Sequence, residues 1–241
     1  MLGSTSVSLE KRQFHSTQWS LVLQAGEGSN DALHRLCARY WYPLYAYARR
    51  SGISAIEAQD LTQGFFASLL SRNDIAHVSR SRGKFRSYLL SALRNYISKQ
   101  RDRAGALKRG GGKVILSLDW QDAEGRYCFE PADDMDAEKL FAKRWALTLL
   151  DRVVTKLRED YEKSGKAKLF GYLSGAVSGD GIELSYREIA QRLNTTEGAV
   201  KAAVHRLRKR YQKELLAEVA ETVDDVEAVE EELMFLMSTL E

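Results

Sequence analysis

The chain has 241 residues, 44% of them hydrophobic and 29% charged, enough to build one large core or two small ones. No apolar run approaches the roughly 20 residues that a membrane-spanning helix needs. The net charge of +3 conceals an uneven distribution, because Arg80 to Lys113 holds eleven Lys or Arg against Asp102 alone. Ala199 to Lys213 holds six basic residues and no acid, whereas Glu221 to Glu241 holds eight acids and no base. Two basic segments about ninety residues apart suit a polyanion contacted at two places; two solvated helix faces are the plainer alternative.

Residues 1–17 read as a flexible start. The opening "MLGSTSVSLEKRQFHSTQW" lacks a secretory apolar stretch, which predicts a cytoplasmic chain in which Cys37 and Cys128 are free thiols. From Trp19 to Gln100 apolar residues recur at helical spacing. They are Leu33, Leu36, Tyr40, Leu44 and Tyr47, then Leu61, Phe65 and Leu69, then Phe85, Leu89, Leu93 and Tyr96. This pattern predicts three or four helices, interrupted by a loop at "SRNDIAHVSRSRGK". The only prolines are Pro43 and Pro131, which favours long helices.

Within the second of these helices, "DLTQGFFASLL" (Asp60 to Leu70) places a glycine beside paired phenylalanines. Glycine in a helix costs about 1 kcal/mol relative to alanine. Leu61, Phe65 and Leu69 suffice for a core face, leaving Asp60, Gln63, Gly64 and Phe66 on another. An exposed Phe66 beside a polar pair fits the anchor pattern of an interface helix, and Gly64 removes bulk where a partner helix could approach, a partner implied only by the resemblance given below. The next helix, "GKFRSYLLSALRNYISKQRDRAGALKR", interleaves Phe85, Tyr88 and Tyr96 with Lys84, Arg86, Arg94, Lys99, Arg101 and Arg103. Cations that track phosphates beside rings that accept stacked bases suit a single nucleic-acid strand. The alternative is that every ring here is core, with Tyr88 the one most easily spared for the surface.

Residues 105–137 shift in composition. Three successive glycines, a short extended piece at Val114 to Leu118 and an acidic patch predict a linker. A second helical unit begins near Ala137, with Phe141, Trp145, Leu149 and Val153 on one face, and "SGAVSGDGIE" predicts a further loop. The expected architecture is all-α: two helical domains, 18–104 and 138–223, on a mobile tether, followed by an acidic segment, 224–241. In that last segment Val226, Val229, Leu233, Leu236 and Leu240 can share one helix face. It is expected either to cover the second basic element or to bind a regulator, or simply to pack as a solvated terminal helix on its own domain.

The stretch "LSYREIAQRLNTTEGAVKAAVHRLRKRYQKEL" is the most specific in the chain. Ile189, Ala190 and Leu193 form the apolar stripe of a short helix, Asn194 marks a sharp turn, and Thr196 can cap a second helix with Glu197 in its first turn. Val200, Val204, Leu207 and Tyr211 should be buried, and Lys201, His205, Arg206, Arg208 and Lys209 should face outward. A short helix, a tight turn and a basic second helix match the helix-turn-helix geometry that reads the major groove; a hairpin with solvating cations is the alternative. His205 has no neighbouring His or Cys, so no metal role is expected, and "GGGK" is a lone glycine run without a phosphate-loop pattern, so no cofactor is expected.

Taken in order, "ALHRLCARYWYPLYAYARR", "AQDLTQGFFASLL" and "GKFRSYLLSALRNYISKQRDR" resemble region 2 of the extracytoplasmic-function (ECF) sigma factors of bacterial RNA polymerase, and "LSYREIAQRLNTTEGAVKAAVHRLRKR" resembles their region 4. "GKFRSYLLSAL" and "KRGGGK" are similar to a subgroup associated with planctomycetes and related bacteria. The resemblance implies a non-enzymatic initiation factor whose partners are core RNA polymerase and promoter DNA, with an anti-sigma factor or other regulator as a further partner. It places Asp60, Gln63, Phe66 and Leu69 against the clamp coiled coil of the largest polymerase subunit, and region 4 against the flap of the second-largest. It assigns the −10 element to Lys84, Arg86, Tyr88, Arg94, Asn95, Lys99, Arg101 and Arg103, together with the Asp74 to Lys84 loop. It assigns the −35 element to Thr196, Lys201, Ala202, His205, Arg206 and Arg208. The linker run Lys108 to Lys113 would approach the template strand. A conventional helix-turn-helix regulator would instead predict a dimer on palindromic sites. A recombinase-like enzyme would need a nucleophile with organised arginines on a strand-containing scaffold, which the N-terminal half does not suggest.

Overall fold

The computed structural model describes residue 24 and residues 27–71, 84–104, 123–128, 135–223 and 228–240. Among these residues the fold is all-α, with ten helices and no strand. The expected flexible start, most of the loop over 72–84, the extended piece at 114–118 and the basic run 108–113 lie outside the described residues.

Helix α1 (Asn30–Arg50) begins where the Ser29 side chain accepts a bond from the Ala32 amide (3.3 Å). Pro43 inside it donates no backbone bond, yet the helix continues because packing holds it. Leu36, Tyr40, Leu44, Tyr45 and Ala48 are all essentially buried, and Trp41, Tyr42 and Tyr47 nearly so. Burial on so many sides marks a central helix, not an amphipathic surface one. α2 (Ala55–Ser71) and α3 (Phe85–Ala104) complete the N-terminal group. Leu89 and Leu93 are buried as the spacing predicts, and Phe85 meets Tyr40 edge-on at 5.4 Å.

A short helix, α4 (Ala123–Cys128), forms inside the stretch expected to be linker. Its Glu124 accepts two bonds from Arg49 (2.6 and 3.0 Å) and one from the Tyr45 hydroxyl, while the Arg49 guanidinium also lies over the Tyr127 ring. The acidic patch therefore pins this segment to the C-terminal end of α1.

Helix α5 (Ala137–Lys163) starts at Asp136, whose side chain caps the Lys139 amide (2.7 Å). Phe141, Trp145, Leu149, Val153 and Leu157, one turn apart, are buried, and among the described residues this face forms the most extensive helix contact, with α1. Helices on the two sides of the predicted linker thus share one hydrophobic cluster. Beyond α5 come α6 (Ala167–Leu173) and α7 (Gly175–Ser178), the latter a helical turn where the sequence suggests only loop. α8 (Tyr186–Arg192), α9 (Glu197–Ala220) and α10 (Ala228–Ser238) end the described chain. Among the described residues no helix is long and apolar enough to cross a membrane.

Candidate nucleic-acid interface

The α8–turn–α9 unit is built by local rules. Ser185 and Glu188 form a reciprocal capping box, the Ser185 hydroxyl taking the Glu188 amide (3.3 Å) and the Glu188 carboxylate taking the Ser185 amide (2.9 Å). Asn194 then adopts φ 50°, the left-handed conformation that asparagine tolerates better than most residues, and the Thr195 amide bonds back to Ala190 (2.9 Å). Thr196 accepts from the Ala199 amide (3.2 Å) and opens α9. Val200, Ala203, Val204 and Leu207 turn inward, with Ile189 and Ala190 of α8 also buried, which fixes the two helices against each other.

With that face committed, the other is open. Lys201, Ala202, His205, Arg206, Arg208 and Lys209 are all exposed, as is Thr196 at the helix start. Glu197 pairs with Lys201 (2.9 Å); the ammonium holds the carboxyl below its ordinary value, and the carboxylate raises the lysine. Every residue assigned to the −35 element thus sits on one solvent-facing surface around the N-terminal half of α9.

The C-terminal half of α9 has the opposite character. Glu214, Glu218 and Glu221 recur at i, i+4 and i+7, so they share a face. Glu214 meets Lys156 (2.7 Å), Glu218 meets Arg152 (3.5 Å) and Arg39 (3.7 Å), and Glu221 meets Arg39 (2.8 Å). Arg39 is 4% exposed, so this is a charge seam between α9, α1 and α5 rather than a surface decoration. The spacing was present in the sequence; its partners, up to 182 positions away, were not.

The residues assigned to the −10 element divide along α3. Asn95, Lys99 and Arg101 are exposed, Tyr88 is half-buried and stacked on Phe85, and the Arg103 side chain lies outside the described residues. Arg94 pairs with Glu138 and donates to the Tyr47 hydroxyl (3.1 Å). At the start of α3, Lys84 (2.6 Å) and Arg86 (2.7 Å) both contact Glu232 of α10, a carboxylate with no solvent exposure. The Arg86 guanidinium also lies 3.8 Å from the Phe235 ring centroid and 5.1 Å from that of Trp145. Burial pushes the Glu232 carboxyl up, but hydrogen bonds and charge from Arg86 and Lys84 outweigh it and hold the group below the ordinary carboxylate value. Among the described residues α10 leaves the exposed basic face of α9 uncovered, contrary to the expectation that the acidic segment covers the second basic element; it packs on α9 and α5, as the alternative had it, and its Glu232 reaches across to the start of α3.

The docking residues expected on α2 are also redistributed. Asp60 is exposed and Gln63 half-buried, but Leu69 is nearly buried and Phe66 has no exposure at all. The exposed anchor expected at Phe66 is therefore a core residue: α2 lies between α1 and α3, and both phenylalanines are taken inward. Gly64 has an internal reason as well. A Cβ there would come 2.6 Å from the Tyr96 hydroxyl oxygen, so the close approach it admits is that of α3, within the same chain.

Residues 183–210 match the family model described as Sigma-70, region 4. No curated protein and no solved structure matches the chain. The matched residues run from just before the Ser185 cap, through the Asn194 turn, to the end of the exposed cationic face of α9. A helix-turn-helix of this construction, inside a segment similar to sigma-70 region 4, supports a factor of the sigma-70 family.

Proposed function

We propose that the chain is an ECF-type sigma factor, in the subgroup named above, that joins core RNA polymerase in the cytoplasm and directs initiation at promoters with −10 and −35 elements. The observation that carries this reading is the coincidence of the region 4 match with an exposed basic face on α9. In this reading Lys201, Ala202, His205 and Arg206 face base edges, and Thr196 and Arg208 lie nearer phosphates. Region 2 spans residues 18–104 and region 4 residues 138–223. The α3 residues Lys84 to Arg103 meet the opened −10 strand, where cations and Tyr88 supply phosphate contacts and stacking. Catalysis belongs to the polymerase. In this reading exposed Asp60 and half-buried Gln63 lie on the face toward the clamp of the largest subunit, whereas Phe66 and Leu69 support that face from within, and the flap of the second-largest subunit meets region 4.

The test is transcription from a library of −35/−10 promoters by purified core polymerase with and without the chain. Promoter-selective initiation is expected. A chain that neither binds core nor redirects initiation, but protects a palindrome as a dimer, would be a helix-turn-helix regulator instead. Arg206→Ala is expected to weaken promoter binding roughly tenfold while leaving thermal stability unchanged, since one base contact is worth about 1–3 kcal/mol.

A further inference from the structure

The geometry points to α10 as an internal lid: it occupies the start of α3 with its own carboxylate and ring, and a single nucleic-acid strand must displace it to reach Lys84 and Arg86. This inference rests on the reading of α3 as a nucleic-acid surface and adds to it a competitor carried by the same chain.

Three observations support the lid. Glu232 places both carboxylate oxygens where a phosphate would sit, accepting from Arg86 Nε (2.7 Å) and Nη2 (3.1 Å) and pairing with Lys84 Nζ (2.6 Å). Phe235 lies against the Arg86 guanidinium as a stacked base would, and Lys84 Nζ is 5.8 Å from the same ring. One helix therefore imitates both chemical parts of a nucleotide strand, charge and ring.

The attachment is also slight enough to reverse. α10 has eleven residues, too few to persist as a helix alone in water. Only Glu232 and Leu236 of it are fully buried; Val229, Leu233 and Phe235 pack half-buried against α9 and α5, and Met234 and Met237 on its outer side are 65% and 53% exposed. A strand carrying several phosphates gains from counterion release in addition to its direct contacts, so it can displace a single carboxylate. The exposed cations of α9 have no such cover and can engage duplex DNA first. Occupation of α9 and release of α10 then become successive steps of one binding event.

The test uses the intact chain and a short fluorescein-labelled single-stranded DNA oligomer of mixed sequence. With saturating oligomer, amide hydrogen exchange is expected to slow over residues 84–90 and to accelerate over residues 228–238. If 84–90 slow and 228–238 do not change, the lid is wrong and the α3 reading stands. If 84–90 do not slow, the α3 reading itself fails and the lid falls with it. Glu232→Gln should bind the oligomer roughly tenfold more tightly than the natural chain, because a larger fraction is already open. Equal affinity, with 84–90 still slowed by the oligomer, would overturn the lid. The exchange measurement on the natural chain decides the matter even if the variant folds poorly.

Discussion

The two cationic surfaces of this molecule have similar sequence composition and opposite surroundings. On α9 the basic residues from Lys201 to Lys209 face solvent, with Glu197, among the described residues, the only carboxylate paired to one of them. On α3 the first two, Lys84 and Arg86, are closed over by Glu232 and Phe235 from a helix that begins 142 positions after Arg86, at Ala228. The difference shows that charge counts along a chain locate potential polyanion sites but not their availability. Availability depends on where the acids of the same chain end up.

The largest contrast is expected between removal of Glu232 and removal of Glu197. Glu232→Ala leaves Arg86 against two rings without its anion, and loss of one member of a buried pair costs about 3 kcal/mol. Opening of α10 would release the two cations to water and cap the loss, so the urea midpoint should fall and the amides of 228–238 should lose protection. Glu197→Ala, on the open surface, should leave the midpoint where it was. Equal midpoints for both variants would erase the distinction between the two surfaces.

The same contrast has a pH signature. The Glu232 carboxyl is held below its ordinary 4.5, so its contribution is fully present above that value and is lost as pH falls through the lower folded value. Lys84 and Arg86 are the charged groups that face it, and burial pushes the nearby Tyr40 hydroxyl up, so that it stays neutral. The stability gap between the natural chain and Glu232→Gln should therefore be constant near neutrality and close on acidification below about 4.5. A gap that persists unchanged at pH 3 would assign the effect to packing alone.

Smaller effects separate the supports beneath the two surfaces. Gly64→Ala places a methyl against the Tyr96 hydroxyl, which sets the seating of α3 on α2, and is expected to cost about 1 kcal/mol net of the helix-propensity gain. Tyr96→Phe in the same chain should recover most of that loss, since the next ring atom lies at an ordinary 3.6 Å. Failure of the rescue in chemical denaturation would mean that Gly64 serves something other than Tyr96. Gly198, in the first turn of α9, meets nothing within 4 Å, so Gly198→Ala should raise stability by about 0.5–1 kcal/mol. A simultaneous loss of promoter affinity would show that DNA, rather than protein, passes close to that backbone.

Much of this molecule was legible because it depends on neighbours a few positions apart. The Ser185–Glu188 box, the Thr196 cap, the left-handed Asn194 and the buried spacing Val200, Val204, Leu207 all arise from local geometry, and the open face of α9 follows as its complement. Phe66 turns inward instead of anchoring a partner, because α1 and α3 flank α2 and take up the sides that carry both aromatics. Within 105–137, expected to be tether, Glu124 binds Arg49.

By itself, then, the sequence determined the all-α class, the helix-turn-helix and the presence of two basic elements, since periodicity, capping and charge act over one or two turns. Only the tertiary structure decided that α5 seats on α1, that Glu218 and Glu221 close on Arg39, and that Glu232 occupies Lys84 and Arg86. Those outcomes pair charges and rings far apart in the chain. The physical reason is that a buried cation must find an anion somewhere, and the sequence shows that both exist without showing which will meet.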